Sequence, residues 1–272
     1  MESSAGRGDP LYIVKLGGSV ITRKREVERP RPKILARLSS EIASASPRRL
    51  VVLHGAGSFG HPGAKRFGLA RPPTPDRSPR ERARGAAIVA TEVRRLHLLV
   101  LRALLAAGVS PASVPIATHA RNRAGHLVAF DAKPFLDALG RGLTPVSFGD
   151  VVPDEEWGAS ILSADTIAEA LVEPLGAARV LFVSDVPGVL EGPPRGRRTV
   201  VAELDEGTVA KLRPSTGAVD VTGGIRGKAE SMLRIARAGA DAGLISGLSD
   251  GQLSRALRGE SVYGSWAHAR AG

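Results

Sequence analysis

The chain reads as an α/β fold, a mainly parallel sheet with helices on both faces, and three observations predict it. Short apolar runs that stop at a glycine or a polar residue alternate with longer runs of helical period. At 272 residues and 43% hydrophobic, the chain can bury the core of one large domain or two modest lobes. The strand-like runs also end in residues that carry chemistry: Lys15, His54, Gly149-Asp150 and Asp185. In parallel sheets ligands bind beyond the carboxyl ends of the strands, so these residues should gather along one edge.

Residues 1–10 are polar, lack the apolar core of a secretion signal and are expected to form a tail. Leu11-Tyr-Ile-Val-Lys15 is the first strand, and Leu16-Gly17-Gly18-Ser19 is a glycine loop at its end. Thr22-Arg23-Lys24-Arg25 is a basic cluster, in which Arg23 and Arg25 read as a solvated turn. From Pro32 to about Ala45, Ile34, Leu35, Leu38 and Ile42 recur at helical spacing, and Pro47 follows. Val51-Val52-Leu53 runs into His54 and then into a loop, Gly55 to His61, where glycine takes every second or third place. Such a loop exposes backbone N–H groups to anionic oxygens.

Arg71 to Arg80 holds four prolines among charges and reads as a mobile excursion, and a long helix follows from Ala86 to Ala107, stopped by Gly108. Most of its apolar stripe (Ile88, Val93, Leu96, Leu99, Val100, Leu104, Leu105) should be core. Val114 to Thr118 is a strand, Asp131 to Leu139 a short helix, and Thr144 to Phe148 a strand. A turn at Ser160 to Asp165 then enters a helix that reaches Val172. Val180 to Ser184 is a buried strand, and Arg195 to Arg198 an exposed loop. A helix from about Arg226 to Ala238 carries Lys228 in its first turn, before a strand at Gly243–Ser246 and a helix at Leu253–Leu257.

The composition narrows the chemistry. No cysteine is present, which excludes disulfides and thiolate catalysis and suits a reducing cytoplasm. No apolar run approaches the ~20 residues of a membrane span. A net charge of +11 suits an anionic partner, but the arginines are scattered and aromatics make up only 4%, against a nucleic-acid surface. Gly55 to Gly60 fits the dinucleotide pattern G-x-G-x-x-G, yet a proline-rich stretch stands where that fold needs its second strand. Neither the P-loop pattern nor the protein-kinase motifs occur. Two glycine loops with lysines and a few carboxylates suit phosphoryl transfer, which works by positioning and charge neutralisation.

Lys15-Leu16-Gly17-Gly18-Ser19, His54-Gly-Ala-Gly-Ser-Phe-Gly-His61, Gly149-Asp150-Val-Val, Ser184-Asp185-Val-Pro-Gly188 and Asp220-Val-Thr-Gly-Gly224-Ile-Arg-Gly-Lys228 occur in an order that resembles the amino acid kinase superfamily. Within it, Ile21-Thr-Arg-Lys24, Ser58-Phe-Gly-His61 and Asp220-Val-Thr-Gly-Gly224 make the chain similar to the isopentenyl phosphate kinase family from Leu11 to about Gly264. The resemblance implies a three-layer αβα sandwich, with residues 11–175 as an acceptor-binding lobe and 176–272 as a nucleotide-binding lobe of one continuous fold. It implies transfer of the ATP γ-phosphoryl group to isopentenyl phosphate, magnesium as ATP's partner without an identified protein ligand, and a homodimer.

The implied catalytic set is Lys15, Lys24, His61, Asp165 and Lys228. Lys15 would contact the transferring group, Lys24 would stabilise its charge, and His61 would hold the acceptor phosphate. Lys228 would bridge the ATP phosphates while Asp165 orients the lysines. ATP would lie along Lys15, Gly17, Gly18, Ser19, Gly57, Asp185, Gly188, Gly224 and Lys228, and the acceptor along Ala56, Gly60, His61 and Ala164. Ile88 and Val93 are candidates for the acceptor tail. Two departures stand out: Ala164 where similar kinases carry glycine, and Pro187 where they carry aspartate. Fosfomycin kinases share the Phe-Gly-His feature and form the alternative enzyme reading. A nucleotide sensor without turnover is the non-enzyme one.

Overall fold

The computed structural model describes residues 8–23, 26–192, 198–212 and 224–269. The first part of the chain forms β1 (Leu11–Leu16), α1 (Gly18–Ile21), α2 (Pro32–Ala45), β2 (Arg49–His54), α3 (Gly57–Phe67) and α4 (Pro79–Ala106). Next come β3 (Pro111–Ser113), a 3₁₀ turn (Ile116–Thr118), β4 (Ala120–Arg123), β5 (His126–Phe130), α5 (Lys133–Gly140) and β6 (Thr144–Phe148). A hairpin of β7 (Asp150–Asp154) and β8 (Gly158–Leu162) leads into α6 (Ala164–Leu175) and β9 (Ala177–Ser184). The remainder holds β10 (Leu190–Glu191), β11 (Thr199–Val200), α7 (Glu206–Lys211), α8 (Gly224–Arg237), β12 (Asp241–Ser246), α9 (Gln252–Leu257) and β13 (Gly264–Ala267).

Alternation along β1 divides the core into two. Leu11 and Ile13 face one way, with Val51 and Leu53 of β2 and Val180 and Phe182 of β9. Phe135, Ile167, Leu171, Val209 and Met232 of α5, α6, α7 and α8 cover that face. Val14 and Leu16 face the other way, with Val52, Leu181 and Val183, beneath Leu38, Ile42, Leu96, Val100, Leu253 and Leu257 of α2, α4 and α9. The result is the expected three-layer αβα sandwich. Its seven-stranded sheet runs β13-β12-β9-β1-β2-β6-β3, parallel except for β13. A separate four-stranded sheet, β5-β4-β7-β8, stands beside it.

Several elements differ from the sequence expectation. The glycine-rich stretch is a loop only at Gly55-Ala56; α3 begins at Gly57, so His61 sits in a helix. Pro62 cannot donate to the Ser58 carbonyl one turn back, and that carbonyl accepts from the Glu28 N–H instead, at 3.1 Å. The long helix starts at Pro79, seven residues before Ala86, because Ser78 and Glu81 form a capping box around a proline in the first turn. Its stripe is buried at Val89, Val93, Leu96, Val100 and Leu104, whereas Ile88 and Leu105 are exposed.

The strand expected at Val114–Thr118 is a three-residue strand before it and a 3₁₀ turn. Asp131 supports α5 from outside, accepting the Lys133 N–H at 2.9 Å, while Ala132 is the cap. The turn expected at Ser160 is strand β8, and the helix after it begins at Ala164 with Ser163 as its cap. The β4–β5 and β7–β8 hairpins and the closing strand β13 were not foreseen. Of the loop expected at Arg195–Arg198, residues 195–197 lie outside the described residues, and Arg198 is exposed.

Backbone packs on backbone where β1 and β2 end. A Cβ on Gly18 would stand 2.4 Å from the Gly57 nitrogen, and one on Gly55 would stand 2.8 Å from the Gly18 nitrogen. Thr22 Oγ1 stitches the same place, donating to the Gly18 carbonyl at 2.6 Å and accepting the Ser58 N–H at 2.9 Å. Gly18→Ala should therefore force the two turns apart and lower unfolding stability by about 1–3 kcal/mol, the usual range for overpacking. Urea denaturation checks this; an unchanged midpoint would show that the turns have room.

Candidate active site

The carboxyl ends of β1 and β9, with the first turn of α3 beyond β2, open into a cleft of about 1540 Å³. A recess of about 70 Å³ adjoins it, and Lys15 lines both. Lys15 follows Leu11 and Ile13 on the α6–α8 face of β1, between Leu53 of β2 and Phe182 of β9. It is the point where an otherwise apolar face turns charged.

Asp165, in the first turn of α6, lies between two ammonium groups. Its Oδ1 is 2.7 Å from Lys15 Nζ and its Oδ2 is 2.5 Å from Lys228 Nζ. Lys228 also sits over the Phe182 ring, 5.0 Å from its centroid. Burial pushes the Lys15 ammonium down to about 8, with Lys228 adding to the effect and Asp165 opposing it. Burial opposes the charge of Asp165, but the two lysines outweigh it and hold the carboxyl well below the usual carboxylate range. The helix N-terminus also favours a carboxylate there.

The first glycine turn is tied to β9. Gly17 N–H donates to the Val183 carbonyl at 2.7 Å, and Ser19 Oγ donates to Asp185 Oδ1 at 2.6 Å. Gly17, Gly18, Ser19, Gly57, Asp185, Gly224 and Lys228 line the cleft, and His61 lines both the cleft and the recess. Ala56, Gly60, Ala164 and Asp165 line the recess. Gly188 is not with them: a Cβ there would meet Val200 and Ser265 at 2.6 and 2.7 Å, so it packs against β11 and β13. Lys24 and residues 220–223 lie outside the described residues. Val89 and Val93 line the recess, while Ile88, the other residue expected at the tail, is 40% exposed.

Other features were not foreseen. His54 and His97 are buried and joined by a hydrogen bond of 3.1 Å between Nε2 and Nδ1; His97 Nε2 lies 2.8 Å from Ser113 Oγ. The Gly55 carbonyl, 3.2 Å from His54 Nδ1, can only accept. That fixes the direction of the chain: Ser113 donates to His97, His97 to His54, and His54 to Gly55. Burial is the main force holding both rings neutral, His54 pushed down to about 3 and His97 to about 4. Beside them Arg94 pairs with buried Asp150 at 3.0 Å and lies over Phe148.

The profile of the amino acid kinase family matches residues 10–245. The chain belongs to the amino acid kinase family. Within this family the chain is 35% identical to isopentenyl phosphate kinase of Methanothermobacter thermautotrophicus, covering 94% of this chain and 98% of the relative. It is 31% identical to isopentenyl phosphate kinase of Arabidopsis thaliana, covering 93% of each. A solved isopentenyl phosphate kinase superposes with a TM-score of 0.81 at 32% identity, covering 94% of this chain and 99% of that one. The substrate complex of an isopentenyl phosphate kinase superposes at 0.76 and 28% identity, covering 95% of this chain and all of the other.

The histidine pair makes this amino acid kinase acid-sensitive in a defined window. Both folded-state values lie below the ordinary 6.5, so the unfolded chain binds more protons between them. This contribution is complete above pH 6.5 and is lost as pH falls through about 4 for His97 and about 3 for His54. His97→Gln should flatten that part of a stability–pH curve measured by urea denaturation. Parallel curves for the two proteins would show that the pair does not titrate as buried neutral rings.

Proposed function

We propose that this chain transfers the γ-phosphoryl group of ATP to the phosphate of isopentenyl phosphate, giving isopentenyl diphosphate and ADP. The observation that carries the reading is the Lys15–Asp165–Lys228 bridge at the floor of a cleft that also holds His61. Full-length similarity to isopentenyl phosphate kinases supports the choice of acceptor over fosfomycin or N-acetylglutamate.

An acceptor phosphate is already a nucleophilic anion near neutral pH, so the reaction needs no strong general base. The obstacle is the approach of two anions, which convergent cations and backbone donors remove. Lys15 and Lys228 take the transferring group and the ATP phosphates, and Asp165 keeps their ammonium groups aimed into the cleft. His61 holds the acceptor phosphate, with Ala56, Gly60 and Ala164 around it, and Lys24 adds charge at the transferring group. One acceptor oxygen forms a bond to the γ phosphorus as the bond to the β,γ-bridging oxygen breaks.

Gly17, Gly18, Ser19, Gly57, Asp185 and Gly224, which line the cleft, serve the nucleotide, and Gly188, packed against β11 and β13, does not. Residues 11–175 hold the acceptor and lend the Gly17–Ser19 turn and Gly57 to the nucleotide, whose remaining contacts come from 176–272. Among the described residues no cluster of three or more metal-ligating side chains occurs, both Asp165 oxygens face lysines, and Ser19 bonds Asp185. This set fits a magnesium ion that arrives on the ATP phosphates, with Asp185 to hold its water shell. A magnesium ion held there would supply positive charge against the ATP phosphates. The reading extends to a cytoplasmic homodimer. Among the described residues no helix is long and apolar enough to cross a membrane.

ADP release with Mg·ATP, comparing isopentenyl phosphate, fosfomycin and N-acetylglutamate, tests the proposal. Turnover should require isopentenyl phosphate, and His61→Ala should reduce it on the order of 10²–10³-fold. Turnover on fosfomycin alone would move the protein to another branch, and binding of ATP without turnover would make it a sensor. Since the Lys15 ammonium is pushed down to about 8, kcat/KM should fall as pH rises above about 8. Lys15→Arg, which stays charged, should lose that alkaline limb even if its rate is low.

A further inference from the structure

Arg82, in the first turn of α4, is 8% exposed although it stands in a run of charged, exposed residues. Its guanidinium donates to four carbonyls. Nε reaches Trp157 at 3.1 Å, Nη1 reaches Gly68 at 2.9 Å, and Nη2 reaches Arg71 at 3.2 Å and Ala159 at 2.9 Å. Among the described residues no carboxylate lies within ion-pair distance of it; Asp154 acts on it only through its field. A buried cation without a paired anion is expensive, and this one is offset by a planar fork that satisfies two separate segments at once.

Both segments line the cleft, and one guanidinium joins them. Gly68 caps the end of α3 and Arg71 begins the proline-rich excursion, while Trp157 is in the β7–β8 turn and Ala159 in β8; all four line the cleft. The β7–β8 turn is held from within. The Asp154 carboxylate accepts the N–H groups of Ala124, Gly125, Glu156 and Trp157 at 2.8–3.1 Å. A Cβ on Gly125 would stand 2.7 Å from the Trp157 ring, so the indole lies directly on that glycine. Between Ala70 and Thr74 the excursion has no helix or strand of its own.

We propose that Arg82 is a positioning residue that sets the width of the cleft here, clamping the excursion to the Trp157 turn and thereby selecting the acceptor's tail. The proposal rests on the reading of the chain as an isopentenyl phosphate kinase: these walls share the cleft with His61, and Ala159 packs in one apolar cluster with Val89 and Val93 of the recess. Arg82 touches no reacting atom; it acts through the walls. A lysine in its place keeps the charge but cannot span four carbonyls.

The experiment pairs steady-state kinetics with amide hydrogen exchange on the full-length wild type, Arg82→Met and Arg82→Lys. In both variants KM for isopentenyl phosphate should rise on the order of tenfold, since misplaced walls disturb positioning. The KM for ATP and kcat should stay within about twofold, and preference should shift toward a ten-carbon prenyl monophosphate. Exchange should quicken over residues 68–77 and at Trp157. Unchanged acceptor KM, or losses spread equally over both substrates and the melting temperature, would overturn the proposal and leave a purely structural arginine. Unchanged exchange would remove the clamp itself. Absence of isopentenyl phosphate turnover in the wild type would instead sink the functional reading, and exchange over 68–77 would still decide the clamp. If Arg82→Met fails to fold, Arg82→Lys carries the same outcomes.

Discussion

One buried carboxylate organises the reaction end of this molecule. Asp165 belongs to a helix on one face of the sheet, Lys15 to the central strand and Lys228 to a helix from the last third of the chain. Two ammonium groups in the same small volume repel each other, and with the burial of Lys15 this pushes that lysine toward its neutral form. With the carboxylate between them, the trio carries a single net positive charge and a fixed geometry. Removing the anion would leave uncompensated buried cations, which is far more disruptive than never having had the trio. The bridge therefore binds three elements distant in sequence and also keeps the cleft attractive to phosphate.

The second constraint is proximity without side chains. Lysines at a strand end can reach phosphate oxygens only if the chain beside them leaves space, and here two turns lie backbone against backbone. Gly18, Gly55 and Gly57 permit that approach, Gly57 with φ at +51°. Thr22 supplies the polar stitch between the turns. On the far side of β2, the ordered path from Ser113 through His97 and His54 to Gly55 holds the same turn from behind.

Much of this was legible because it follows strict periods. Alternation in Leu11–Leu16 and Arg49–His54 reveals which residues face a core, and the abrupt change to Lys15, His54 and Asp185 marks the edge where ligands gather. Local signals failed where a buried residue was polar or charged. Asn122 and Ser160 are buried partners in the smaller sheet, yet in the sequence they look like turn residues. Arg82 sits among arginines that are solvated, and nothing in its neighbours reveals the four carbonyls awaiting it. Ser78-Pro79-Arg80-Glu81 did hold a helix start, hidden by the prolines before it. His97 interrupts an apolar helix stripe, and only its distant partners show why.

The depressed ammonium of Lys15 has a consequence in covalent reactivity. With a value of about 8, Lys15 holds far more neutral amine near neutral pH than a lysine at its ordinary 10.5. Free amines, not ammonium ions, attack acylating and aldehyde reagents. The lysine at the floor of the cleft is thus more nucleophilic than its ordinary charge state would make it, although it is buried. A phosphate ligand resting against it would restore its proton and quench that reactivity, so occupancy of the cleft is written into the chemistry of a single nitrogen.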